Sequence, residues 1–232
     1  MRVTRRQFLE CAAAVSLAPG WKGILPRDRT TYGISILDLG SACTLPESVA
    51  GYRSALGARV RELELVPATP PAVLIVPAAA QLRPAAVRAI VDCLDSSGCV
   101  ILETGLAFAP AGCCASHRTG LCDVLGIQAG APVSLWSGPG ATRVPYVDFT
   151  WPHAAKLRDH SRVVPLEARR DRIIASVDGH AVGLKGTRRR GTLIVLGSPI
   201  GPALWAGDTE AHGWLDAVLS AKLAGPSARP RN

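Results

Sequence analysis

Residues 72–105 constrain the fold more than any other stretch, because they read as strand, helix, strand and glycine turn with little between. Residues 72–76 are a short apolar run rich in β-branched side chains, as in a strand covered on both faces, and Pro77 ends it. Across 82–94, Leu82, Ala86, Ile90 and Leu94 recur every four residues with Val87 and Val91 beside them. That spacing predicts a helix with one apolar face, and Pro84 falls in its first turn, where a missing N–H costs nothing. Ser96-Ser97-Gly98 breaks the helix, and 99–102 repeat the buried-strand pattern before Glu103-Thr104-Gly105. A βαβ unit requires parallel strands and a right-handed crossover. Ligands of such sheets gather beyond the carboxyl ends of the strands, so Ala78, Glu103, Thr104 and Gly105 are the first candidates for a site.

The flanking segments extend the pattern. Residues 32–39 alternate and are β-rich, predicting a first strand that ends at Asp38; 46–56 suit a helix with Glu47 in its first turn, and 59–66 suit a strand near a sheet edge. The first half therefore reads β-α-β-β-α-β, and the expected fold is α/β: a flavodoxin-like three-layer sandwich with a mostly parallel central sheet and a β-rich second half. In that second half, 119–125 predict a short helix stopped by Gly126, and 153–160 one or two helical turns. Strands are expected at 172–177, 181–184 and 192–197, the first two joined by the hairpin signal Asp178-Gly179 and the last two by a basic turn at 185–191. Asp208 is placed to cap a closing helix whose buried stripe is Trp214, Val218 and Ala221, with Leu215 and Leu219 flanking it. One domain, 30–225, is expected between a leader at 1–26 and a basic tail at 226–232.

Hydrophobic residues make up 48% of the chain and aromatic ones 5%, which suits an Ala/Val/Leu-packed α/β protein and argues against disorder. No apolar run reaches the roughly eighteen residues of a transmembrane helix. The leader has its own signature: Thr4-Arg5-Arg6-Gln7-Phe8-Leu9-Glu10 followed by a weakly hydrophobic 11–18 resembles a twin-arginine export signal, the alternative being a basic amphipathic helix. Ser16 and Ala18 suit a cleavage point but Pro19 opposes cutting there, so an uncleaved segment offers a route to membrane-surface association. The expected location is periplasmic or otherwise exported.

The net charge of +8 includes Arg2, Arg5, Arg6 and Lys22 of the leader against its single Glu10. Much of the remaining positive charge lies in Arg169-Arg170-Asp171-Arg172, Arg188-Arg189-Arg190 and the tail pair Arg229 and Arg231. Aromatic residues are not interleaved with these runs, so nucleic acid is not the expected partner; solvated turns, with some attraction to an anionic membrane surface, are. Six cysteines lie beyond the leader, and in an exported chain they invite disulfides, with Cys113, Cys114, Cys122 and Cys43 the candidates and a local bridge in the 113–122 loop favoured.

Several of these segments together resemble a known superfamily. The strand ending near Pro77, the Leu82-Arg83-Pro84-led helix, the run from Gly98 through Gly105, Leu121-Cys122-Asp123-Val124-Leu125-Gly126-Ile127, and 192–199 with 204–219 are similar to the class I glutamine amidotransferase-like fold. The nearest likeness is to its non-catalytic branch, the trimerisation domain of some β-galactosidases and trehalose-utilisation-type proteins. For active members the resemblance implies a Cys on the strand-to-helix elbow, with a His and a Glu beyond a late strand. Here the elbow is Glu103-Thr104-Gly105, and Ser198-Pro199-Ile200-Gly201 follows the late strand, so the triad is missing and its chemistry is not carried over.

Two carboxylates remain as catalytic candidates, Glu103 and Asp38, each after a predicted strand; the plainer reading of Glu103 is a structural acceptor for backbone N–H groups or an arginine. Thr104, Gly105 and Ala78 are the ligand-binding candidates. Cys113, Cys114, His117 and Cys122 have metal-ligand chemistry without the spacing of an established site, so no metal and no cofactor is expected. His153 and His180 suit surface or packing positions, and Ser137 and Ser198 lack a nucleophile-elbow setting. The expected function is an exported, non-catalytic module for binding or for assembly with a protein partner or further copies of itself. The alternative is a periplasmic hydrolase working through Glu103 and Asp38.

Overall fold

The computed structural model describes residues 33–40, 44–63, 69–108, 120–135, 146–158 and 162–223. In chain order the elements are β1 (Ile34–Leu37), α1 (Pro46–Leu56), β2 (Val60–Leu63), β3 (Val73–Ala79), α2 (Pro84–Asp95) and β4 (Cys99–Thr104). A π-helical turn (Gly120–Val124) follows, then β5 (Gln128–Ala129), β6 (Val133–Ser134), β7 (Tyr146–Phe149), β8 (Ala155–Arg158), β9 (Arg162–Val163) and β10 (Leu166–Glu167). The chain closes with β11 (Arg172–Val177), β12 (His180–Arg188), β13 (Gly191–Leu196), α3 (Gly201–Trp205) and α4 (Thr209–Leu223).

Nine strands form one sheet in the order β2-β1-β3-β4-β13-β12-β11-β7-β8. From β2 to β13 every pairing is parallel, with Cys99 opposite Val73 on one side and Thr192 on the other. From β13 to β8 every pairing is antiparallel. The sheet is thus evenly mixed, and the expectation of a mostly parallel flavodoxin-like sheet does not extend beyond its first half. The cause is connection length: a two-residue turn can join only antiparallel neighbours. Asp178 and Gly179 hold φ of 46° and 77°, the paired left-handed conformation that matches strand twist in a tight hairpin. β12 runs on through Arg188, so the turn to β13 is shorter than the predicted 185–191.

Strand alternation sorts the core into two layers. Ile34, Ile36, Ile75, Ile101 and Ile194 face α1, α3 and α4, packing on Tyr52, Leu204, Trp214 and Val218. Leu74, Val76, Val100, Leu102 and Val195 face α2 and the turn after it, packing on Ile90, Leu94, Leu121 and Leu125. Helix α2 buries Ala86, Ala89, Ile90, Cys93 and Leu94, close to its sequence pattern.

Two local expectations fail. Residues 155–158 form β8 rather than helical turns, because β7 supplies a ladder partner from Tyr146 opposite Arg158 to Phe149 opposite Ala155. In α4 the buried positions are Ala211, Trp214, Leu215, Val218 and Leu219, and Ala221 is exposed: the stripe rotates toward Leu215 and Leu219 as α4 crosses the sheet. The Asp208 cap forms as expected, its Oδ1 accepting from the Glu210 and Ala211 N–H groups at 2.9 and 3.1 Å. Among the described residues no helix is long and apolar enough to cross a membrane.

Candidate functional site

Glu103 lies at the carboxyl end of β4, and strand alternation turns it, like Cys99 and Ile101, toward α1 and α3. It is wholly buried. A carboxylate there is tolerable only if its lone pairs are filled, since burial of an unpaired charge is costly. Helix α1 presents Ser48 and Tyr52 one turn apart on its inner face. Ser48 donates to Glu103 Oε2 and Tyr52 donates to Oε1, both at 2.7 Å.

Three backbone N–H groups complete the shell. Ala78 donates to Oε2 at 3.1 Å from a left-handed backbone (φ 35°), a strained conformation for a residue with a Cβ. Ile200 and Gly201 donate to Oε1 at 2.8 and 3.2 Å from the start of α3, where N–H groups have no helical acceptor. Burial pushes the Glu103 carboxyl above its ordinary value, and the bonds from Tyr52, Ser48, Ile200 and Ala78 pull the other way. Burial, then the Glu103 charge and hydrogen bond, push the Tyr52 hydroxyl well above its own ordinary value.

This arrangement depends on close backbone approach. A Cβ on Gly51 would collide with the Gly201 carbonyl, one on Gly201 with Ser48, and one on Gly105 with the Ala78 carbonyl. The three residues expected to bind a ligand are likewise packed inside the protein. Ala78 and Thr104 are wholly buried and Gly105 is buried. Thr104 Oγ1 accepts from Leu106 N at 3.2 Å, and Gly105 N donates to Ala79 O at 2.7 Å.

Asp38 is not brought to this cluster. Its Oδ1 accepts from Gly40 N at 2.8 Å, and its Oδ2 stands 3.9 Å from Arg53, with the Asp38 side chain 30% exposed. None of these partners is shared with Glu103. His212 Nε2 lies 3.2 Å from Leu204 O, and His153 is exposed. An open hollow between the β7–β8 hairpin and the start of α4, lined by Asp148, Lys156 and Glu210 among others, holds none of the sequence candidates.

The cysteine expectations need one correction. Cys122 carries a free, exposed thiol, so it does not form the expected local bridge; Cys43, Cys113, Cys114 and His117 lie outside the described residues. Cys93 and Cys99 are free and buried, their thiols pushed up by burial to about 12 and about 11. Among the described residues no three His, Cys, Asp or Glu side chains are grouped to hold a metal ion.

Sequence reasoning missed Ser48 and Tyr52. The available signal was a buried stripe on α1, Ser48-Tyr52-Leu56, in which hydroxyls stand at hydrocarbon positions and so require an acceptor.

No protein-family model and no curated protein sequence matches the chain. Solved structures do. The β-galactosidase from Rahnella sp. R3 is similar at 13% identity and a TM-score of 0.58, over 84% of this chain and 31% of that one. The β-galactosidase from Bacillus circulans sp. alkalophilus is similar at 13% identity and a TM-score of 0.55, over 80% and 31%. The cytoplasmic protein STM1381 from Salmonella typhimurium LT2 is similar at 12% identity and a TM-score of 0.55, over 75% of this chain and 86% of that one. The chain spans about a third of the length of the β-galactosidases it matches. Two of these three structures are β-galactosidases, in keeping with the β-galactosidase likeness read from the sequence, and what the chain shares with all three is the fold.

Proposed function

We propose that this chain is a non-catalytic amidotransferase-like module, exported by its leader, that serves in binding or assembly of a larger complex. The observation that carries the reading is the state of Glu103. At the strand end where this fold would present a reactive group, the carboxylate is sealed from solvent and accepts five hydrogen bonds from three separate elements. A group so occupied cannot take a proton from a substrate or touch one. The cluster instead fastens α1 and α3 to the end of the sheet. The neighbours support the modular part of the reading: a similar unit is a minor part of two glycosidases and most of one shorter protein.

The hydrolase alternative would need Glu103 and Asp38 in one open cleft, and their separate partners give it no support. Affinity purification of the tagged full chain from native membrane and periplasmic fractions, followed by native mass measurement, tests the assembly role. The expected result is a species well above the 24.3 kDa monomer with fixed stoichiometry. A monomer that hydrolyses glycoside, ester or amide substrates and stops doing so in Asp38→Asn overturns it. For export, Arg5→Lys/Arg6→Lys should leave the chain in the cytoplasm; unchanged fractionation removes that part of the proposal.

A further inference from the structure

The end of the sheet opposite Glu103 gathers positive charge. β12 finishes and β13 begins beside the amino end of β4, with Arg188 opposite Gly191 and Thr192 opposite Cys99. The segment leading into β11 arrives at the same end, since Arg172 lies opposite Lys185. A bidentate ion pair clamps the two segments together: Arg188 Nη1 and Nη2 donate to Asp171 Oδ1 and Oδ2 at 2.8 and 2.6 Å, and the Asp171 side chain is only 5% exposed. Arg188 Nε also donates to Leu125 O at 2.7 Å, tying the residue that follows the π-helical turn to the same clamp.

The clamp uses up the carboxylate that the sequence places among these arginines. Arg189 is engaged by Asp95 at 3.1 Å, and Lys185 lies 4.9 Å over the Trp151 ring. Arg169, Arg170, Arg172 and Arg190 are left exposed, and none forms an ion pair with a described residue. Two sequence runs that look like separate solvated turns therefore make one cationic face.

We propose that this face docks the protein on an anionic lipid surface. Unpaired cations crowded at one end are attracted to a sheet of negative headgroups, and the contact needs neither a groove nor a specific ligand geometry. The same face of a second copy is a poor occupant because it would set these exposed arginines against one another. A single nucleic-acid strand fits less well, because its affinity draws on stacking platforms between the cations. The strongly exposed aromatic residues among those described, Tyr146 and Trp205, stand on β7 and α3 instead.

The test is co-sedimentation of the full chain with vesicles, either of phosphatidylglycerol and phosphatidylcholine in equal parts or of phosphatidylcholine alone. Binding is expected only to the anionic vesicles and is expected to weaken steeply with added salt. Arg170→Gln/Arg190→Gln takes one charge from each turn and should weaken binding by roughly twenty-five-fold, about fivefold per arginine. Arg83→Gln/Arg88→Gln removes the same net charge from exposed positions on and beside α2 and should change binding by no more than about twofold. The three proteins should share one unfolding midpoint. Equal losses in the two variants, no loss in the first, absence of binding, or tighter capture by a single-stranded oligonucleotide than by the vesicles each overturns the proposal.

Discussion

A buried carboxylate ringed by donors has a particular vulnerability at Glu103. Each oxygen faces at least one backbone N–H, Ala78 on Oε2 and Ile200 with Gly201 on Oε1. An amide in either orientation would set its own N–H groups against one of them. The hydroxyls of Ser48 and Tyr52 can turn from donating to accepting, but the backbone groups cannot. Glu103→Gln should therefore cost about 2–4 kcal/mol in denaturant unfolding, despite matching the side chain in size. The cost should vary with pH in a defined direction. The folded carboxyl titrates above its ordinary 4.5, so between the two values the folded chain binds more proton than the unfolded one. Wild-type stability then falls as pH rises through that window, and the glutamine variant lacks that slope. The difference between the two should shrink as pH rises from 4.5; a difference that grows would refute the assignment.

At the level of elements, α1 and α3 meet through glycine. Gly51 and Gly201 let the two backbones approach until the Ile200 and Gly201 N–H groups reach Glu103. Gly51→Ala should force α3 away and cost at least about 1–3 kcal/mol. Gly213 supplies the contrast: it lies within α4, exposed, with nothing within 4 Å of an added Cβ. Gly213→Ala should stabilise the chain by about 0.5–1 kcal/mol through helix propensity and the restricted unfolded chain. Unfolding midpoints of the two variants would separate these roles, and a shift of the same sign in both would count against the α1–α3 contact. The βαβ unit itself was plain from the sequence, because the Leu82-Ala86-Ile90-Leu94 repeat and the runs at 73–76 and 99–102 depend on near neighbours. The segment at 155–158 was not plain, because it is a strand only through its pairing with β7.

Across the whole molecule, the nine-stranded sheet separates two packed layers, with Cys99 in one and Cys93 in the other. Thiol accessibility should report that architecture. Iodoacetamide should modify the exposed Cys122 readily in the folded chain, whereas Cys93 and Cys99, buried and with thiols pushed up to about 12 and about 11, should react only on global unfolding. Rapid labelling of Cys99 in native buffer would show that the central strands open locally. Hydrophobic spacing and turn residues were enough to read β3, α2, β4, the Asp178-Gly179 hairpin and the Asp208 cap, because each is governed by contacts a few residues apart. The addition of β7 and β8 to the antiparallel half of the sheet, the inward turn of Glu103 and the joining of two arginine runs by Asp171 came only with the tertiary fold. The donors to Glu103 lie between 25 and 98 positions away along the chain, and Asp171 meets Arg188 across 17. Local sequence records which groups need partners; packing of distant segments decides which partners they find.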